Sequence, residues 1–154
     1  MKRNLILSAV VLLPAFVLMN AFVVPLGGEG YEIYVNDKLV IRQFGAEMKQ
    51  VKNLQLDPSK LNGDLSVKFF HCGMTGKRRI LQLKTPAKEV LKQWQFANGD
   101  AGNFSIAVPL KEIVGLQKKA GGGTLHLYYS SKEAPDGRFL AGVTTTSQTK
   151  NDAR

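Results

Sequence analysis

From Tyr31 onward, apolar and polar residues alternate in short runs separated by turn-forming residues. "YEIYVNDKLVIRQF" holds two such runs around Asn36-Asp37. Asn and Asp tolerate the positive φ of a tight turn, so a β-hairpin is predicted there. "VKNLQL" reads as a strand, followed by a loop carrying Pro58 and Gly63. In "DLSVKFFHC" the alternation places Leu65, Val67, Phe69 and His71 on one face, and Ser66, Lys68, Phe70 and Cys72 on the other. Five further runs, "RRILQLK", "VLKQWQF", "FSIAVPL", "TLHLYYSS" and "RFLAGVTTT", have strand length and strand composition. Only "PLKEIVGLQKK" has helical spacing, with Leu110, Ile113, Val114 and Gln117 on one stripe and an end near Gly121. "TPAKEVLK" offers a further helical turn.

This pattern predicts an all-β domain over residues 27–147: a single antiparallel β-sandwich, immunoglobulin-like or jelly-roll-like, with eight or nine short strands and one short helix. The expected hairpins include one across "HCGMTGK", whose two glycines suit a connection between "LSVKFFH" and "RILQLK". Residues 148–154 form a polar tail expected to be disordered.

Ahead of the domain, residues 1–26 follow a different rule. Lys2 and Arg3 precede an apolar stretch from Leu5 to Leu26, interrupted by Pro14 and Asn20. A short positive start before such a stretch marks an export helix. It reads as a cleaved signal peptide or, uncleaved, as an anchor tethering the chain to the inner membrane through residues 5–26. Both versions send the domain out of the cytoplasm, to a periplasmic or extracellular place. Cys72 is the single cysteine. Small animal extracellular domains are commonly stapled by several disulfides, so the composition favours a secreted protein of the bacterial cell envelope.

The formal net charge is +9, of which Lys2 and Arg3 supply two. A basic domain favours weak contact with anionic lipid or polysaccharide, and the Lys77-Arg78-Arg79 run is the expected place for it. The basic residues are otherwise spread along the chain, so nucleic acid is not expected as a partner.

Four side chains could in principle hold a metal: His71, Cys72, Met74 and His126. Thiolate, thioether and imidazole together suit copper. The spacing opposes it, because adjacent strand residues point to opposite faces and no histidine follows Cys72 until His126. No cofactor and no metal are therefore expected, and Cys72 is read as structural. Its other expected role is an intermolecular disulfide linking a dimer. No nucleophile elbow, phosphate loop or paired-histidine zinc motif occurs, and no catalytic constellation can be assembled from these spacings. Trp94 and Tyr128 are candidates for a ligand or partner surface, since such rings combine an apolar body with a polar handle. The expected function is a non-enzymatic binding or accessory module working through contacts with an envelope protein. The alternative is a small-ligand binder, for a carbohydrate or for copper near His71, Cys72 and Met74.

Overall fold

The computed structural model describes residues 28–100 and 104–146. The hydrophobic leader and the polar tail lie outside the described residues. Nine strands form: β1 (Glu29–Val35), β2 (Lys38–Phe44), β3 (Asn53–Leu56), β4 (Asp64–His71), β5 (Arg79–Lys84), β6 (Val90–Phe96), β7 (Ile106–Pro109), β8 (Leu125–Ser130) and β9 (Arg138–Thr145). One α-helix, α1 (Leu110–Lys119), joins β7 to β8. The strands make two sheets, ordered β2-β1-β4-β7 and β3-β9-β8-β5-β6. All pairings are antiparallel except that of β3 with β9. A mostly β chain with two sheets and one short helix is the arrangement of a β-sandwich.

The alternation in β4 is realised as read. Leu65, Val67, Phe69 and His71 are buried, and the residues between them are half-buried. They meet Tyr31 and Ile33 of β1 and, across the interior, Leu81, Leu83, Leu127, Tyr129 and Leu140 of the second sheet. Removing this apolar surface from water is the main favourable term in forming the domain. Two aromatic contacts fasten the sheets together. Phe69 stacks on Tyr129 with ring centroids 4.4 Å apart and planes 8° from parallel. The Tyr31 hydroxyl lies against the Gln43 side-chain carbonyl and the Leu140 backbone carbonyl, so β1 is bonded to β9 through a polar contact inside the core.

The hairpin at Asn36-Asp37 forms, with φ of 50° and 62° at the two turn residues. The helix buries Leu110, Ile113, Val114 and Gln117, the stripe read from the spacing. Two local expectations change. "TPAKEVLK" is not helical; Thr85 to Glu89 form the turn of the β5–β6 hairpin, closed by hydrogen bonds from Thr85 N–H to the Glu89 carbonyl and from Lys88 N–H to the Thr85 carbonyl, both 2.9 Å, and Val90 to Lys92 already belong to β6. Helical propensity over one turn cannot outweigh the pairing of two flanking strands.

The second change concerns "HCGMTGK". A tight turn does form, with Cys72 and Gly73 at φ of 47° and 88° and Met74 N–H bonded to the His71 carbonyl at 2.9 Å. The returning strand is only the bridge of His71 to Met74. The chain then crosses to the other sheet, so β4 and β5 are not a hairpin. Each strand has two edges, and β4 gives both of its own to β1 and β7, while β5 gives its own to β6 and β8.

The edges of the sandwich are finished differently. Glu112 of α1 accepts a hydrogen bond from the Trp94 indole N–H at 3.0 Å and pairs with Lys92 at 3.0 Å, which ties the helix to edge strand β6. At the β2 edge Gln43 donates to the Glu47 and Gln50 carbonyls at 2.8 Å and 3.1 Å, and a groove of about 450 Å³ runs between β2 and β3. Val35, Val40, Leu54, Leu56, Leu61 and Leu110 contribute its apolar walls.

Candidate functional site

The turn after β4 brings His71, Cys72 and Met74 to the rim of a shallow cavity of about 220 Å³, with Glu29, Glu133 and Arg138. The three candidates differ in what they present there. His71 is buried, whereas Cys72 is exposed and its thiol is free. Met74 is 59% exposed. His71 Nε2 lies 3.0 Å from the Tyr129 hydroxyl and 3.3 Å from Ser131 Oγ. Burial holds the His71 pKa below its ordinary value, partly opposed by the Glu133 and Glu29 carboxylates, with Arg138 acting in the same sense as burial. Burial pushes the Tyr129 phenol up to about 12. A neutral imidazole facing a protonated phenol is therefore the stable pair. Gly76 fits against it because it lacks a side chain: a Cβ there would collide with the Tyr129 hydroxyl and stand 2.8 Å from His71 Nε2.

His126, the fourth metal candidate, is not part of this cluster. It sits on the outer face of β8, edge-on to Phe139 at 5.3 Å. Among the described residues, no group of three or more His, Cys, Asp and Glu side chains is placed to hold a metal ion.

The approach of a serine to a histidine invites a nucleophilic reading, and the surroundings oppose it. Ser131 is buried. Its Oγ accepts hydrogen bonds from the backbone N–H groups of Glu133 and Ala134, both 3.2 Å. Those bonds make it the cap of the turn after β8. A hydroxyl so enclosed has no open side from which to attack a substrate.

The basic run divides. Lys77 and Arg78 are exposed, and Arg79 is buried. Arg79 Nε donates to the Ala97 carbonyl at 2.8 Å, and its Nη1 donates to the Phe104 carbonyl. An anionic surface cannot reach this guanidinium, so the expected three-residue patch is corrected to Lys77 and Arg78. Arg79 shares its strand face with Leu81 and Leu83, which explains its inward direction. Arg79→Ala is expected to lower stability by about 1.5–3 kcal/mol, the scale for hydrogen bonds made by a charged group. Arg78→Ala is expected to stay within about 0.5 kcal/mol, as for a surface change. Chemical unfolding of the two variants separates a structural arginine from a solvent-facing one.

Trp94 and Tyr128 do not share a surface. Trp94 pairs with Leu81, which is fully buried, so its half-buried ring lies on the inner side of the second sheet. Tyr128 alternates with Leu127 and Tyr129, both buried, and lies on the outer side. There its ring packs against Phe139 at 5.5 Å and carries the Lys84 ammonium at 4.5 Å. The joint surface expected from the sequence is thus split by the sheet itself.

Sequence reasoning missed Tyr129, Ser131 and Gly76 as the partners of His71. A signal for Tyr129 was present, since Leu125, Leu127 and Tyr129 share one parity in "LHLYYS". No family model matches the chain, and no curated protein matches it.

Proposed function

We propose that the protein is an exported, non-enzymatic binding or accessory module of the bacterial cell envelope, acting through contact with another envelope protein. One observation carries the proposed contact: the apolar edge of β2. Pairing of β1 with β2 shifts register between Ile33 and Tyr34, where Ile33 faces Ile41 and Tyr34 faces Leu39. Val40 is the extra residue of this bulge. Leu39 and Val40 are 37% and 41% exposed. Edge strands are normally guarded by charge, and bulges there commonly keep other strands away. Here exposed Lys38 and Arg42 flank the edge, and between them the bulged valine lies beside an exposed leucine and opens on the groove toward β3. An extended segment of a partner protein, with apolar side chains at alternate positions, fits such an edge.

The leader supports export, and residues 5–26 supply a tether to the inner membrane if they are not removed. Lys77 and Arg78 add a weak contact with anionic lipid or polysaccharide, and the exposed Cys72 offers a disulfide between two copies. The finer fold belongs to this reading as well. Of the two sandwich types expected, the jelly-roll-like one has support in the nested pairing of β5 with β6 in one sheet and of β4 with β7 in the other. A long hairpin rolled across two sheets pairs its strands in that way.

The test is capture from an envelope extract by the immobilised domain and by its Val40→Asp variant. The expected result is a specific protein retained by the native domain and lost by the variant, whose unfolding midpoint stays near the native one. Equal retention by both, or no specific protein, goes against the β2 edge.

A further inference from the structure

A second site, independent of the β2 edge, stands at the opposite side of the second sheet. Where β5 begins and β6 ends, a cavity of about 540 Å³ is lined by Arg78, Arg79, Ile80, Gln95, Phe96, Ala97 and Asn98. That volume is in the range of small-molecule sites. Ile80, on the outer face of the sheet opposite Gln95, is half-buried and provides apolar wall, Phe96 borders the cavity from the inner side of β6, and Gln95 and Asn98 bring amide groups. The surrounding backbone is fixed from two sides. Arg79 holds the Ala97 carbonyl at 2.8 Å and the Phe104 carbonyl. Asn98 Oδ1 accepts the Arg78 backbone N–H at 3.0 Å and keeps that residue at φ of 51°, a region that residues with side chains seldom adopt. Arg78 is thereby held at the wall of the cavity. It forms no ion pair with any described carboxylate.

An apolar wall beside amides and one guanidinium with no ion pair among the described residues is a complementary set. The guanidinium fork matches a carboxylate in two parallel hydrogen bonds. Among the described residues, no acidic side chain lines the cavity. We propose that this cavity binds a small amphipathic anion, a carboxylate on an apolar body, with the apolar part against Ile80 and the carboxylate at Arg78. Free acids and acyl-bearing anionic lipids share this chemistry. The cavity volume is that of a site for a single small molecule.

Octanoate, octanol and phosphatidylglycerol vesicles serve as probes for titration calorimetry on the intact domain. Octanoate is expected to bind saturably and about tenfold more tightly than octanol, the scale of one charge-assisted contact. Arg78→Gln should erase that difference while leaving the unfolding midpoint unchanged. Ile80→Asp, which sets a second carboxylate in the wall, should abolish octanoate binding, again with the fold intact by circular dichroism. Equal affinity for octanoate and octanol overturns the proposal, as does octanoate binding that survives both variants. Binding to vesicles alone, with no saturable binding of octanoate, also overturns it, since contact is then made by exposed cations at a surface.

Discussion

Phe69→Ala is expected to lower the free energy of unfolding by about 3–5 kcal/mol, the range for emptying a buried aromatic site. Phe69 is 3% exposed and sits where the sheets meet. Its ring contacts Tyr129 at 4.4 Å, His71 at 4.7 Å and Tyr31 at 6.4 Å. Deleting it removes apolar surface and opens a cavity between the rings of Tyr31 and His71 on one sheet and Tyr129 on the other. Domains of this size have total stabilities of about 5–15 kcal/mol, so the loss is a large share. Phe69→Leu retains most of the volume and should cost markedly less. Denaturant unfolding of the three proteins checks the order. Equal stability of the native protein and Phe69→Ala would mean that the sheets are not joined through this ring.

A second large effect is expected in alkali. Burial pushes both Tyr31 and Tyr129 up to about 12 from an ordinary value of 10.0. In the folded state these phenols hold their protons more tightly than in the unfolded chain. Their contribution to stability is therefore complete below pH 10 and is lost as the pH rises from there toward 12. The expected loss is on the order of 1–3 kcal/mol for each residue. In Tyr31→Phe and in Tyr129→Phe, stability should be lower at neutral pH, because buried polar partners lose a bond, and should decline less between pH 9 and pH 11.5. Urea unfolding at the two pH values supplies the comparison. An unchanged decline in both variants would assign the alkaline loss to other groups.

Much of the fold follows from local periodicity. The parity of Leu65, Val67, Phe69 and His71 identifies the inner face of β4, and the stripe from Leu110 to Gln117 identifies the buried face of α1. Asn36-Asp37 carries its turn within two residues. The sheet to which a strand belongs is a different kind of information. "LSVKFFH" and "RILQLK" look like neighbours joined by a glycine-containing turn, and the turn at Cys72-Gly73 even takes the hairpin conformation. Yet pairing is decided by which strand edges remain open across the whole molecule. No local pattern encodes that competition.

The site residues divide along the same line. Arg79 was readable as inward-facing, since it has the parity of Leu81 and Leu83, but its position in a basic run suggested a solvent-facing charge. Tyr128 was likewise readable as outward from its parity relative to Leu127. Its separation from Trp94 depends on the register between β5, β6 and β8, in which Leu81 faces both Trp94 and Tyr129. Register between strands far apart in sequence is a tertiary property. The exposure of Val40 has the same origin, because the bulge arises from the pairing of β2 with β1 and not from the run "KLVIRQF" alone.

The proposed role rests on partner contact at the β2 edge, and crosslinking in the native host tests it most directly. A photoreactive residue is placed at Val40, and in a second protein at Lys111 on the exposed side of α1. The account predicts one discrete adduct with an envelope protein from position 40, none from position 111, and recovery of that adduct in the envelope fraction. No adduct from position 40, or the same adducts from both positions, would contradict it.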